Sequence, residues 1–278
     1  MTNLTRRDFL KLGFFSLANL AFNPFPYPRD DQLYPPLSIA RVAADRISAI
    51  YQEPKEHSGV VRWTRQDELL PIFYKLTSSD GPAFNPVWYR VWGGYLHSSF
   101  IQEVKYRFNK PIEAIPPYGQ LSEVTVPFTI AYSYNRYEGW NLVYRLYYQT
   151  THWITGMDSG PDGKPWYQLT SEIDDYLKYF VPTGHLRPIS DDEISPISPH
   201  IPPEEKRIEV SLRNQVLTAY ESNQQVFDAK ISSGLGRIAV PEGTKTPVGR
   251  FHITSKTPSK HMGSIQASGA PDNYILPG

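Results

Sequence analysis

The sequence contains no cysteine among its 278 residues. This absence excludes disulfides, thiolate-bound zinc, iron–sulfur clusters and a cysteine nucleophile from these residues. An excess of charge of one sign is also lacking, because 28 basic residues balance 28 acidic ones. Neutralising nucleic-acid phosphates needs a clustered basic excess, so we expect no nucleic-acid partner.

The amino-terminal apolar run, 12–22, is too short to cross a membrane, since a spanning helix needs about 20 residues. Arg6, Arg7 and Phe9-Leu10-Lys11 come directly before it. This order resembles a bacterial twin-arginine signal. We therefore expect residues 1–23 to be a signal segment that the twin-arginine export machinery reads through the two arginines. A buried helix is the alternative, and retention as an uncleaved anchor stays open because no clear Ala-x-Ala site follows.

Signals for metal or hydrolase chemistry are missing as well. The seven histidines include no pair at i, i+2 or i, i+4, so no metal site is expected. Asp158–Gly163 opens like a calcium loop, but Leu169 stands where a glutamate is required, which favours a turn. Gly-x-Ser-x-Gly and Ser-x-x-Lys motifs do not occur. These absences signal neither a serine-hydrolase elbow nor a penicillin-binding-type nucleophile.

Proline and aromatic residues are abundant. The chain has 26 prolines, about twice the ordinary share of roughly 5 %. Proline at this level disfavours long helices, so the sequence predicts a mainly β fold built from short strands and turns. Residues 24–41 open with several prolines and are predicted to be an extended spacer.

The middle of the chain repeats one pattern, which predicts two modules at 42–108 and 109–189. Asp80-Gly81 and Asp162-Gly163 are turn signals, and each precedes a short strand that carries a Trp-Tyr pair, Trp88-Tyr89 and Trp166-Tyr167. The two copies indicate a duplication and resemble tandem bacterial SH3-like barrels, which in exported proteins often contact the cell wall. Each aromatic pair has two interpretations, a barrel core or an exposed platform that stacks on sugar or peptide.

A linker with four prolines is predicted at 190–206, and a last domain at 207–278. Ser190 and Glu193 fit a helix capping box at least as well as an acid–base pair. From Arg207 onward, strict alternation predicts three strands separated by turns, the second turn at Ser222-Asn223. A further strand is expected to bury Phe251 and Ile253.

Four ordered segments of this last domain carry a resemblance to a known family. They are Lys206–Val210, Gln215–Glu221, Ile231–Gly234 and the Thr246-Pro247-x-Gly249-Arg250-Phe251-x-Ile253 motif. Together they resemble the opening strands of an L,D-transpeptidase catalytic domain of the YkuD type. Residues 256–263 and 274–278 extend the resemblance.

The resemblance implies an acyl transfer on peptidoglycan that needs no metal and no organic cofactor. In that family a thiolate attacks the amide after the third residue of a stem peptide and expels the terminal D-alanine, and an amine of another stem then takes the acyl group. The reactive His…Ser-His-Gly-Cys stretch follows the Leu-Pro-Gly element, whereas this sequence stops within that element. No catalytic residue is therefore assigned, and no acyl transfer is expected from residues 1–278. We expect a longer enzyme. The alternative is a short, non-catalytic protein that binds the wall through SH3-like modules.

The resemblance also implies a location and partners. We expect an exported protein of the cell envelope, periplasm or wall, with peptidoglycan stem peptides and glycan as its partners. His261 and Met262, in the loop after the Phe251 strand, and Lys256 are the candidate substrate-binding residues. A surface histidine and a solvated lysine are the alternatives. Ser232–Gly234 are expected to shape the end of a strand. Because the front half of a domain cannot cover its own apolar face, exposed edges are predicted for 207–278.

Overall fold

The computed structural model describes residues 38–44, 47–82, 85–170, 177–234, 245–259, 261–262 and 276–277. The predicted signal segment, with Arg6 and Arg7, and most of the predicted spacer lie outside these residues. In the part of the chain that is described, no helix is long and apolar enough to cross a membrane.

The described chain is mainly β, as the proline content and the alternating patterns predict. Its strands are β1 Ile39–Val42, β2 Ser48–Tyr51, β3 Val60–Thr64, β4 Leu69–Pro71, β5 Tyr74–Thr77, β6 Val87–Val91, β7 Gly94–His97, β8 Ile101–Val104, β9 Gln120–Val124, β10 Phe128–Asn135, β11 Gly139–Tyr147, β12 Thr151–Ser159, β13 Pro165–Thr170, β14 Lys178–Pro182, β15 Leu186–Pro188, β16 Lys206–Ser211, β17 Val216–Glu221, β18 Gln224–Lys230, β19 His261–Met262 and β20 Leu276–Pro277. The α-helix is α1 Asp191–Ile194, and 3₁₀ turns are present at Ser98–Phe100, Thr183–His185 and Pro203–Glu205.

The chain divides into two compact units, Met1–Lys105 and Tyr106–Gly278. The first unit contains a five-stranded sheet of order β3-β2-β7-β6-β5 and a three-stranded sheet of order β4-β1-β8. Strand β1 begins within the last residues of the predicted spacer, and three of its four residues are buried. The folded unit therefore begins earlier than the prolines indicated. Its core consists of Ala40, Val42, Ile50, Leu70, Ile72, Tyr89, Val91 and Leu96.

The second unit contains a seven-stranded antiparallel sheet of order β11-β10-β14-β13-β12-β9-β15. Its strands β10, β11 and β12 are longer than any strand of the first unit, and β12 runs without a break from Thr151 to Ser159. The core of this sheet consists of Val124, Val126, Ala131, Leu146, Ile154, Tyr167, Leu169, Tyr179, Val181 and Leu186.

The first unit and the seven-stranded sheet of the second unit share one strand order. Strand β12 pairs first with β9 and then with β13, and its register shifts between Ile154 and Gly156. In the first unit β4 and β5 divide the same two pairings, with β1 and β6 respectively. In the first unit and in the seven-stranded sheet of the second, a 3₁₀ turn leads into the last strand, which pairs with the opening strand, β8 with β1 and β15 with β9. The repeat seen in the sequence is thus present in the topology.

Both aromatic pairs belong to the core. Trp88 and Tyr89 lie in β6, Trp166 and Tyr167 lie in β13, and all four side chains are buried. A large aromatic side chain in a small β-sheet domain supplies much of the apolar area that the fold buries. Of the two interpretations of these pairs, the structure therefore supports the core.

The predicted turns are confirmed. Strand β12 ends at Ser159, and the Asp162 carboxylate in the following turn accepts a hydrogen bond from the Trp166 indole at 2.8 Å. Strands β16, β17 and β18 form an antiparallel meander, whose second hairpin turns at Ser222 and Asn223. Both turn residues have positive φ, 46° and 65°, as a two-residue hairpin turn with the twist of its strands requires.

The strand predicted around Phe251 is wrong. Residues 245–259 have no regular secondary structure, and the side chains of Phe251 and Ile253 are 66 % and 65 % exposed. Alternation of apolar residues makes a strand only when a neighbouring strand satisfies its backbone groups. Within the described residues no strand pairs with this segment.

Candidate functional site

Gln215 organises the open end of the β16–β18 meander. It lies in the turn before β17 with a φ of 52°, and its backbone carbonyl accepts a hydrogen bond from the Ile231 N–H at 2.9 Å. Its side-chain carbonyl accepts from the Ser233 N–H at 2.8 Å, and its amide nitrogen donates to the Ser233 Oγ at 2.7 Å. The chain leaving β18 is thereby held against the start of β17.

A second contact joins two segments of the resemblance. The Gly234 N–H donates to the Thr246 Oγ1 at 2.8 Å, so Ile231–Gly234 meets the start of the Thr-Pro-x-Gly motif. Gly249 in that motif has a φ of 140°, which residues other than glycine rarely adopt. Ser233 and Gly234 therefore shape the end of the strand, as predicted.

The predicted substrate-binding residues lie farther along the chain. His261 and Met262 form β19, which pairs with β20 in the register His261↔Pro277 and Met262↔Leu276. This corrects the expectation of a loop at these two residues. Lys256 lies in the segment without regular structure, and its side chain is exposed. A substrate-binding role for the three residues stays a prediction.

The meander leaves apolar side chains uncovered, as predicted. No residue of β16, β17 or β18 is buried. Its exposed large apolar residues are Ile208, Val210, Val226 and Phe227.

Glu193 is occupied by structural contacts. Its carboxylate accepts hydrogen bonds from the Ser190 N–H at 3.0 Å and from both terminal nitrogens of Arg187, at 2.9 and 3.0 Å. Chiefly the Arg187 hydrogen bonds, followed by that of the Ser190 N–H, lower the pKa of Glu193 to about 2. The capping interpretation of this pair is confirmed, because a carboxylate so strongly held in its charged form is a poor proton donor near neutral pH.

The acidic and histidine residues do not form a metal centre in the part of the chain that is described. No group of three or more such side chains there could hold a metal ion. His185 lies inside the second unit, where its Nδ1 is 2.8 Å from the Thr129 Oγ1 and burial lowers its pKa.

The sequence patterns did not predict an exposed aromatic pair in the first unit or the clamp formed by Gln215. Phe73 and Trp92 in the first unit form an exposed aromatic pair, with ring centroids 6.3 Å apart and Trp92 74 % exposed. The role of Gln215 was missed too, although its position after the Arg213-Asn214 turn was a usable signal. Its clamp depends on a positive φ and on a contact 18 residues away, which alternation does not encode.

These features define a mainly β protein of two compact units. The first unit matches the seven-stranded sheet of the second in strand order, and the second unit also contains an open meander, β16–β18, clamped at Gln215. Residues 205–276 match the family model of the L,D-transpeptidase catalytic domain, YkuD. The match covers the four motif segments described above, so the resemblance found in them is confirmed. No curated protein matches the chain.

Proposed function

We propose that this protein is exported and binds peptidoglycan stem peptides through its L,D-transpeptidase segment, with SH3-like modules before it. The family match over 205–276 carries the proposal, since L,D-transpeptidase domains serve cell-wall cross-linking. The Arg6-Arg7 pair and the short apolar run after it support export by the twin-arginine machinery. The strand order shared by the first unit and the seven-stranded sheet supports the duplication on which the SH3-like proposal rests.

We further propose that residues 1–278 do not themselves transfer the acyl group. In the family reaction a thiolate forms a bond to the carbonyl carbon of the third stem residue while the bond to the D-alanine nitrogen breaks. D-Alanine leaves with a proton, and an amine then displaces the thiolate. Residues 1–278 contain no cysteine, so the thioester has no sulfur donor among them.

The test uses the purified chain of 278 residues and a stem tetrapeptide. We expect binding in an NMR titration, with the largest shifts at Lys256, His261 and Met262, and no release of D-alanine. Lys256→Ala should weaken binding. Lys230→Ala is the matched control, because it alters an exposed lysine elsewhere, on β18, and it should leave binding unchanged. Absence of binding would refute the stem-peptide proposal, and released D-alanine would refute the proposed inactivity. Reading the gene beyond Gly278 for a His…Ser-His-Gly-Cys stretch tests for a longer enzyme.

The Phe73–Trp92 pair favours a second candidate function, a non-catalytic wall binder. Exposed aromatic faces of this kind stack on sugar rings or on peptide. Sedimentation with insoluble peptidoglycan tests it. Trp92→Ala should reduce the bound fraction severalfold if this pair grips the polymer, and an unchanged fraction would exclude that role for the pair.

A further inference from the structure

Ser259 differs from the rest of the carboxyl-terminal region in its burial. It is 4 % exposed, and it is the only buried residue among those described between 201 and 259. The neighbours that precede it, 247–258, are all exposed. A small hydroxyl residue does not bury itself in a polar segment without a specific partner, because a buried hydroxyl needs a hydrogen bond.

That partner is Thr151, the first residue of β12. The Ser259 Oγ donates to the Thr151 backbone carbonyl at 2.8 Å, and the Thr151 Oγ1 donates to the Pro258 carbonyl at 3.0 Å. The two hydrogen bonds run in opposite directions between the same two stretches of chain. They fasten the loop ahead of β19 to the seven-stranded sheet.

The register of the sheet places Thr151 in a row with two charged residues. Thr151 is opposite Glu123 of β9, and Glu123 is opposite Arg187 of β15. Residues directly opposite one another in antiparallel strands lie on the same face, so the three side chains are neighbours on one face. The Arg187 Nε also donates to the Glu123 carboxylate at 2.9 Å.

The same row binds the linker that leads into the transpeptidase segment. Arg187 uses its two terminal nitrogens to hold Glu193 of α1 while its Nε holds Glu123. A two-point arginine–carboxylate contact fixes orientation as well as distance. The row Thr151–Glu123–Arg187, here called the docking row, therefore contacts the chain both before the meander and after it.

We infer that the docking row positions the L,D-transpeptidase segment, holding its linker through Glu193 and the loop before His261 and Met262 through Ser259. The second module is then a support for the loop that leads to the candidate stem-peptide residues. The docking contacts stand on geometry alone, and only their consequence for stem-peptide binding rests on the proposed function.

The experiment is limited trypsin digestion of the full chain, with the rate of cleavage after the exposed Lys256 as its readout. The double variant Thr151→Val, Ser259→Ala removes both hydroxyl donors. Cleavage should become about tenfold faster, because two hydrogen bonds that oppose local opening are lost. The single variant Thr151→Ser keeps the hydroxyl donor and should be cleaved at the native rate. Thr155→Val, on the same strand but away from the loop, is the matched control.

Near-ultraviolet circular dichroism of each variant reports whether the sheet itself has remained folded. An unchanged cleavage rate in the folded double variant would overturn the inference. If the double variant does not fold, Ser259→Ala alone gives the same test, since it leaves β12 unaltered. Tetrapeptide binding is measured in parallel. Faster cleavage together with no binding by the native chain would uphold the docking and reject the proposed substrate.

Discussion

Gln215 holds Ser233 with both ends of its side-chain amide, at 2.7 Å to the Oγ and 2.8 Å from the N–H. The two residues are 18 positions apart, at the start of β17 and just after β18. Gly234, the next residue, donates its N–H to the Oγ1 of Thr246, the first residue of the Thr-Pro-x-Gly motif.

Replacing Gln215 with alanine should release the end of β18. Alanine keeps the strain of the positive φ, so the variant isolates the loss of the side-chain hydrogen bonds. We expect exchange of the Ser233 amide hydrogen to become roughly fivefold faster, since a single hydrogen bond contributes about 1 kcal/mol. The Ile231 amide bonds the backbone carbonyl of residue 215 and is the internal control. Equal protection of Ser233 in both proteins would contradict the clamp.

Trp88→Ala should strongly destabilise the first unit. The Trp88 ring is fully buried, with edge contacts to Tyr51 and His97 at centroid distances of 5.8 and 4.9 Å. Removing such a ring costs about 3–5 kcal/mol. Trp92→Ala, at an exposed position in the same unit, should change the free energy of unfolding by less than about 0.5 kcal/mol. Chemical denaturation measures both, and similar values for the two variants would contradict the assignment of Trp88 to the core.

The sequence predicted the elements whose determinants are local. Ser222 and Asn223 form a two-residue turn because both can adopt positive φ, and this turn sets the pairing of Glu221 with Gln224 beside it. Glu193, the third residue of α1, accepts a hydrogen bond from the N–H of Ser190, the residue that caps the helix. The mainly β fold follows from the same kind of local information.

Tertiary contacts decided the rest. Burial of Trp88 and Tyr89 on consecutive positions depends on what covers each face of β6, which alternation does not state. Phe251 lacks a strand partner among the described residues, so its pattern has no ladder to join. Thr151 and Ser259 are more than a hundred residues apart in the sequence, and no local pattern around either residue predicts their hydrogen bond.

Asp67→Asn should destabilise the first unit through the buried Arg41 guanidinium. The two side chains are 2.6 Å apart and only 6 % and 7 % exposed. Asparagine tolerates the positive φ of residue 67, so the change removes charge with little backbone penalty. We expect a loss of about 3 kcal/mol, because the buried Arg41 guanidinium loses the opposite charge of Asp67, although it keeps its hydrogen bonds to the Gln102 side chain.

The exposed pair Lys55–Glu53 provides the comparison for that variant. Its atoms are also 2.6 Å apart, but both side chains are largely exposed. Glu53→Gln should destabilise the protein much less than Asp67→Asn, because solvent screens surface ion pairs. Urea denaturation of both variants decides the matter, and equal losses would show that burial does not set the strength of the Arg41–Asp67 pair.

The docking of the linker on Arg187 should fail only in strong acid. Hydrogen bonds from Arg187 and, secondarily, from the Ser190 N–H lower the pKa of Glu193 to about 2 from an ordinary 4.5. Because the folded value is the lower one, the stabilisation is complete above pH 4.5 and is lost as the pH falls toward 2. A carbon-detected NMR titration of the Glu193 carboxyl measures this directly. Arg187→Gln should return the pKa toward 4.5, whereas Arg207→Gln, which alters an arginine on β16 that pairs with Glu209, should leave it near 2. A native Glu193 that titrates near 4.5 would mean that Arg187 does not hold the linker in solution.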